Sequence, residues 1–187
     1  MYLIVGLGNP ENEENFKNSR HNMGFDVINV LSKRFNIPVT KNKFDGLVGK
    51  GEIAMEEVIL LKPQTYMNLS GKSVVQAANF YKVKLKNILI IYDDIDTPIG
   101  SIRIRKKGTA GSHKGMQSVV QELGDTNIAR IRVGIDRPEF TSDMINYVIG
   151  SIPKEQWEGL NQGIEKAADA VEESLKHGID IAMNKYN

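Results

Sequence analysis

The sequence predicts an α/β fold, a single-domain three-layer sandwich in which a twisted mixed β-sheet is flanked by helices. Short apolar runs alternate along the chain with longer amphipathic segments, as strands alternate with the helices that cover them. Hairpin-like pairs of runs call for antiparallel as well as parallel pairing. With 187 residues, 41% of them hydrophobic, the chain is long enough to bury one core.

Tyr2 to Val5 is a buried strand built on Leu3, Ile4 and Val5. Gly24 to Phe35 places Phe25, Ile28, Leu31 and Phe35 on one helical face. Leu47 to Ile53 and Val58 to Leu61 form two strands joined by a short acidic turn, and Ser70 to Tyr81 is helical. Ile88 to Tyr92 is a strongly apolar strand, whereas Ser101 to Arg105 alternates Ile with Arg as a half-exposed strand does. A Gly-rich loop, Gly108 to Gly115, leads to a helix ending near Leu123. A strand from Ile128 to Ile135 comes next, then helices from about Thr141 and from Pro153 to about His177.

Composition excludes several functions. Without cysteine there are no disulfides, thiolate nucleophiles or zinc–thiolate sites. No apolar run is long enough to span a bilayer, and the first residues form a strand with no basic leader, so a cytoplasmic protein is expected. The net charge of +1 hides an uneven distribution: Ser101 to Arg137 carries +5, Gly150 to Asn187 carries −3. The first of these segments is a candidate polyanion surface and the second is not.

Three local patterns suggest chemistry. After the first strand, Gly6-Leu7-Gly8-Asn9-Pro10 and Ser19-Arg20-His21-Asn22 put an imidazole and carboxamides at a strand's mouth. A neutral imidazole takes a proton near pH 7 and a carboxamide donates to a developing oxyanion, which suffices for ester or amide hydrolysis without a metal. The dinucleotide fingerprint fails, because Glu11 holds its third glycine position. Ser70-Gly71-Lys72-Ser73 is no P-loop, because Tyr66 stands where its first glycine belongs. In Tyr92-Asp93-Asp94-Ile95-Asp96, Asp93 or Asp94 could orient an imidazole, the three acids could hold Mg²⁺, or they could simply shape a turn.

In order and spacing these blocks, together with Lys62-Pro63-Gln64-Thr65-Tyr66-Met67-Asn68-Leu69-Ser70-Gly71 and Arg130-Ile131-Arg132-Val133-Gly134-Ile135, resemble bacterial peptidyl-tRNA hydrolases from Leu3 to about Gly150. The resemblance implies a monomeric, cofactor-free and metal-free esterase that cleaves the peptide from tRNA. It casts His21 as general base, Asp93 as its orienting partner, and Asn9 and Asn68 as amide donors, with Asn9 telling a blocked amino group from a free one. Phe16 and Tyr66 match aromatic positions near the tRNA acceptor end, and Met67 lies beside the site. Arg103 and Arg105, followed by Lys106 and Lys107, are expected to form one phosphate-binding surface with Arg130 and Arg132. His113 reads as structural or substrate-adjacent, and His177 as a helix-end residue.

One position departs from the family. Lys114 follows His113 where the family usually has asparagine. A lysine cannot accept a hydrogen bond, and its charge is expected to lower the His21 pKa, so a contact to an acceptor-stem phosphate replaces the asparagine's role in this reading. Two rivals stay open: a non-catalytic RNA-binding module, and a metal-dependent phosphohydrolase built on Asp93, Asp94 and Asp96.

Overall fold

The structure, a computed structural model, describes residues 1–11 and 18–187. Elements in chain order are β1 (Tyr2–Gly6), α1 (Met23–Phe35), β2 (Lys41–Lys43), β3 (Gly46–Ile53), β4 (Glu56–Pro63), α2 (Ser70–Tyr81), β5 (Ile88–Asp94), β6 (Ile102–Arg105), α3 (Lys114–Leu123), β7 (Ala129–Gly134), α4 (Met144–Ile149), α5 (Trp157–His177) and α6 (Ile179–Tyr186). Among the described residues seven strands form one sheet in the order β2-β3-β4-β1-β5-β7-β6. The inner strands β4, β1, β5 and β7 run parallel, while β2, β3 and β6 pair antiparallel at the two edges. The expected mixed sheet is thus present, with its antiparallel members at the margins.

Both faces of the sheet are covered. Ile4, Leu60, Ile91, Ile131 and Val133 meet α1, α5 and α6 through Val27, Leu31, Ile164, Ala168 and Ala182. Leu3, Val5, Ile59, Ile90 and Tyr92 meet α2 and α3 through Val74, Ala77, Met116 and Val119. Because strand side chains alternate, a strand buried on both faces has to be apolar at every position, as Leu3-Ile4-Val5 and Ile88-Leu89-Ile90-Ile91 are.

One local expectation is corrected, and two elements that the sequence reading did not assign are present. The β3–β4 turn is Ala54-Met55, both at positive φ, while Glu56 and Glu57 belong to β4 and pair with Ile53 and Glu52. The polar strand β2 (Lys41–Lys43) has no apolar signature, because it is an edge strand held only to β3. The short helix α6 comes after a break at Gly178, and its neighbour Asn187 closes the other edge: Asn187 Oδ1 accepts from the Ile104 N–H at 2.7 Å and its Nδ2 donates to the Ile104 carbonyl at 3.1 Å.

The start of α1 lies hard against the sheet. A Cβ on Gly6 would lie 2.1 Å from the Gly24 carbonyl oxygen, and one on Gly24 would lie 2.4 Å from the Ile91 oxygen. Only glycines let the first turn of α1 rest on the ends of β1 and β5, which sets the turn Arg20–Asn22 beside Asp93.

Candidate active site

The loops after β1, β4 and β5 and the start of α3 meet at the carboxyl ends of the parallel strands, the usual crevice of an open α/β sheet. At its centre is Asp93, 4% exposed at the end of β5. His21 Nδ1 lies 2.8 Å from Asp93 Oδ2, and His113 Nε2 lies 2.8 Å from Asp93 Oδ1. One carboxylate therefore spans two imidazoles, whose ring centroids are 5.0 Å apart.

The hydrogen bonds assign the tautomers. His113 precedes α3 and its Nδ1 accepts from the Met116 N–H at 3.1 Å, so its Nε2 carries the proton given to Asp93. His21 donates from Nδ1, which leaves its Nε2 lone pair available. Burial alone would raise the Asp93 pKa, but the charges and hydrogen bonds of His21 and His113 outweigh it and hold the carboxyl well below the usual range. Burial alone would lower the His21 pKa, but Asp93 outweighs it and the imidazole is raised. The expected depression by Lys114 is thereby corrected: the contact with a buried carboxylate dominates.

A cleft of about 380 Å³ opens at this centre, lined among others by His21, Asp93, His113, Lys114, Arg132 and the α4 side chains Ile145 and Val148. Asn9 and Met67 are buried and are not among the residues that line it. The backbone of Asn9 is fixed by Asn22, whose Oδ1 accepts from the Asn9 N–H at 2.8 Å and whose Nδ2 donates to the Asn9 carbonyl at 3.1 Å. The Asn9 side-chain oxygen accepts from the Met67 N–H at 2.8 Å, which leaves Nδ2 as its donor toward a ligand. Met67 is buried, and its sulfur would be 2.4 Å from a Cβ on Gly115, so it packs on the start of α3 next to His113. Asn68 and Tyr66 are exposed on the same turn. Phe16 lies outside the described residues.

The aspartate cluster does not converge. Asp94 accepts from the Asp96 N–H and the Thr97 hydroxyl, which is turn chemistry, and Asp96 pairs with Arg137. His21, Asp93 and His113 have ligand atoms within 4.8 Å of one another, yet a metal there would displace both histidine–aspartate bonds, and the Nδ1 atom of His113 is already engaged.

The basic surface is corrected at one residue. Register sets Arg103 opposite Arg132 and Arg105 opposite Arg130, all on one face of the sheet. Arg103 is exposed, Arg105 and Arg132 are half-buried, but Arg130 is 0% exposed. Its guanidinium donates to the carbonyls of Ile128, Thr109 and Thr126 at 3.0, 2.9 and 2.9 Å. Arg130 thus pins the Gly108–Gly115 loop to the sheet and is withdrawn from any phosphate, since inward carbonyls of a loop crossing a strand need donors.

Sequence reasoning missed Asn22 and Arg20 as supports. Arg20, 4% exposed, donates to the Tyr147 carbonyl and Gln156 Oε1, both at 2.8 Å, with its guanidinium 3.9 Å from the Tyr147 ring centre. Their placement in the block around His21 was the available signal; Asn22's partner Asn9 is 13 residues away, whereas Arg20's partners lie 127 and 136 residues along the chain.

Comparison with known proteins gives one answer. A family model described as peptidyl-tRNA hydrolase matches residues 3–187. A peptidyl-tRNA hydrolase of Clostridium botulinum (strain Eklund 17B / Type B) is 50% identical over 187 residues, covering 100% of this chain and 96% of the relative. Another, from the Okra / Type B1 strain, is 46% identical and covers 100% and 97%. The crystal structure of peptidyl-tRNA hydrolase from Acinetobacter baumannii superposes with a TM-score of 0.92 at 35% identity, covering 99% of this chain and 93% of that one.

Proposed function

The chain belongs to the peptidyl-tRNA hydrolase family and hydrolyses peptidyl-tRNA, and we propose that His21 is the general base of that reaction, without a metal. The single observation that carries the proposal is the His21–Asp93 contact at 2.8 Å, which leaves the Nε2 lone pair free in a cleft large enough for a substrate's reacting end.

In this mechanism His21 Nε2 takes a proton from water as the water attacks the ester carbonyl. Asp93 stabilises the imidazolium that forms, and the proton then passes to the departing ribose oxygen. His113 holds the second oxygen of Asp93 and fixes the carboxylate plane. Asn9 Nδ2 and the Asn68 carboxamide donate to the carbonyl oxygen or to the peptide backbone, an arrangement that favours substrates with a blocked amino group. Tyr66 and Phe16 stack on the acceptor end, with Met67 beside them. Lys114, at the first turn of α3 and on the cleft wall, and Arg132 take phosphates, with Arg103 and Arg105 extending the cationic surface. No helix among the described residues is long and apolar enough to cross a membrane. The proposed enzyme is a cytoplasmic monomer, without a cofactor, that recycles tRNA from prematurely released peptidyl-tRNA.

The test is tRNA release from N-acetylaminoacyl-tRNA in EDTA, with free aminoacyl-tRNA as control, for wild type and His21→Ala. Cleavage of only the blocked substrate, reduced about 10²–10⁴-fold in the variant with tRNA affinity retained, is expected. Activity lost on chelation, or retained in His21→Ala, would overturn the mechanism.

A further inference from the structure

Tyr66 occupies a backbone conformation, φ +67° and ψ 150°, that residues with a side chain avoid and glycine tolerates. Both flanks are clamped. On one side the Gln64 N–H donates to the Asp45 carbonyl at 2.8 Å, tying the segment to the β2–β3 turn, itself built from Phe44 and Asp45 at positive φ. On the other the Met67 N–H donates to Asn9 Oδ1 at 2.8 Å, and Ser70 Oγ donates to the Met67 carbonyl at 2.8 Å. The Tyr66 carbonyl accepts from the Leu69 N–H at 3.1 Å and from Thr65 Oγ1 at 2.9 Å.

We infer that the strained backbone of Tyr66 is a positioning device for Asn9: the reversal at this residue directs the Met67 N–H to Asn9 Oδ1 and so turns the Asn9 Nδ2 donor toward the substrate. A carboxamide presents either its oxygen or its nitrogen to a ligand, and a single fixed donor at Oδ1 decides which. The peptide plane carrying the Met67 N–H is set by ψ of Tyr66, and the chain reaches that plane from β4 with Tyr66 at positive φ. Since Asn22 immobilises the Asn9 backbone, the side-chain orientation is the remaining freedom, and Met67 removes it. Tyr66 acts through its backbone, as a positioning residue, separately from any stacking by its ring. The inference rests on the reading of Asn9 as a substrate donor.

The experiment compares Tyr66→Gly, Tyr66→Ala and Tyr66→Pro, with Asn9→Ala and the double variant Tyr66→Pro/Asn9→Ala, by kcat and KM on N-acetylaminoacyl-tRNA and by Tm. Gly accepts the native φ, Ala keeps the strain without the ring, and Pro forbids the conformation. Expected are a raised KM in all three through loss of the ring, and a kcat that falls in Tyr66→Pro by about the 10²–10³-fold seen on losing one oxyanion donor. That loss is shared with Asn9→Ala, so the double variant falls little further. Tyr66→Gly retains more kcat than Tyr66→Pro and melts above Tyr66→Ala, the reverse of the ordinary order of these residues.

Equal kcat in the Gly and Pro variants, or additive losses in the double variant, would overturn the inference. Should the Pro variant not fold, a Tyr66→Ala Tm at or above that of Tyr66→Gly overturns it alone. A wild type that releases no tRNA defeats the hydrolase mechanism instead, and leaves the Tm order of Gly and Ala to decide the strain.

Discussion

Asp93 shares its two oxygens between two imidazoles, and that sharing sets the pH behaviour of the site. His21 must be neutral to act as a base, and its pKa is raised by Asp93 against the effect of burial. The acidic limb of kcat/KM should therefore lie above the ordinary histidine value of about 6.5. Asp93→Asn should move that limb down while lowering the rate, because the variant removes both the raised pKa and the imidazolium's partner; a limb that stays in place would show another group titrating. The same pair affects stability with opposite signs. The raised His21 stabilises the fold at low pH and loses that contribution as pH rises through its folded pKa. The depressed Asp93 stabilises above its unfolded value and loses this only in strong acid. Lys114 is a separate matter: Lys114→Asn should change turnover by less than the roughly 10²–10³-fold of a lost oxyanion donor, while weakening tRNA binding at low salt. A larger change in turnover would put Lys114 in the chemistry.

Among the elements, the three-residue turn Arg20–Asn22 does three things at once: it carries His21, fixes Asn9 through Asn22, and anchors α4 through Arg20. Arg20→Met should cost about 2–3 kcal/mol, since it leaves the Tyr147 carbonyl without its charged donor, and amide exchange in α4 should accelerate. Unchanged denaturation would show that Tyr147 and Gln156 hold α4 by themselves. In the first turn of α1, Asp26 has a buried oxygen with no partner among the described residues. Burial, then the charge of Glu11, push its carboxyl up to about 7, with Lys62 opposing. The folded state therefore holds a proton that the unfolded chain releases near pH 4, and stability falls as pH rises from there to about 7. Asp26→Asn should raise Tm at pH 8, by about 2–4 °C for each kcal/mol recovered, with the gain shrinking toward pH 5. A gain independent of pH would remove the titration.

Across the molecule as a whole, the arginines on β6 and β7 divide by burial. Arg105→Ala and Arg132→Ala should each weaken binding to any tRNA and reduce its salt dependence, since phosphate contacts release counterions and read no sequence. Arg130→Ala should leave the salt slope alone and destabilise the fold by about 2–4 kcal/mol, because the buried Ile128 carbonyl and the part-buried carbonyls of Thr109 and Thr126 lose their donor. Measuring Kd against salt for the three variants, beside their denaturation, separates the two groups; a reduced slope in Arg130→Ala would contradict its burial.

The layered α/β architecture and most element boundaries are legible in the sequence, because strand and helix periodicities are local and Leu3-Ile4-Val5, Ile88 to Ile91 and the amphipathic helices state them directly. The family is legible too, through blocks of residues that keep their order and spacing. The weak elements escape such reading: β2 is polar because an edge strand need not be buried, and α6 depends on packing against α5 and β6. Which arginine is internal emerges only from the folded chain, since alternating Arg on a strand reads as exposed until a loop crosses above it. The fold likewise selects Asp93, and not Asp94 or Asp96, to face the histidines, and brings Asn22, Met67 and Arg20 to support the site through contacts spanning up to 136 residues. Local pattern records what one segment prefers; a shared carboxylate, an oriented amide or a buried guanidinium exists only where segments meet.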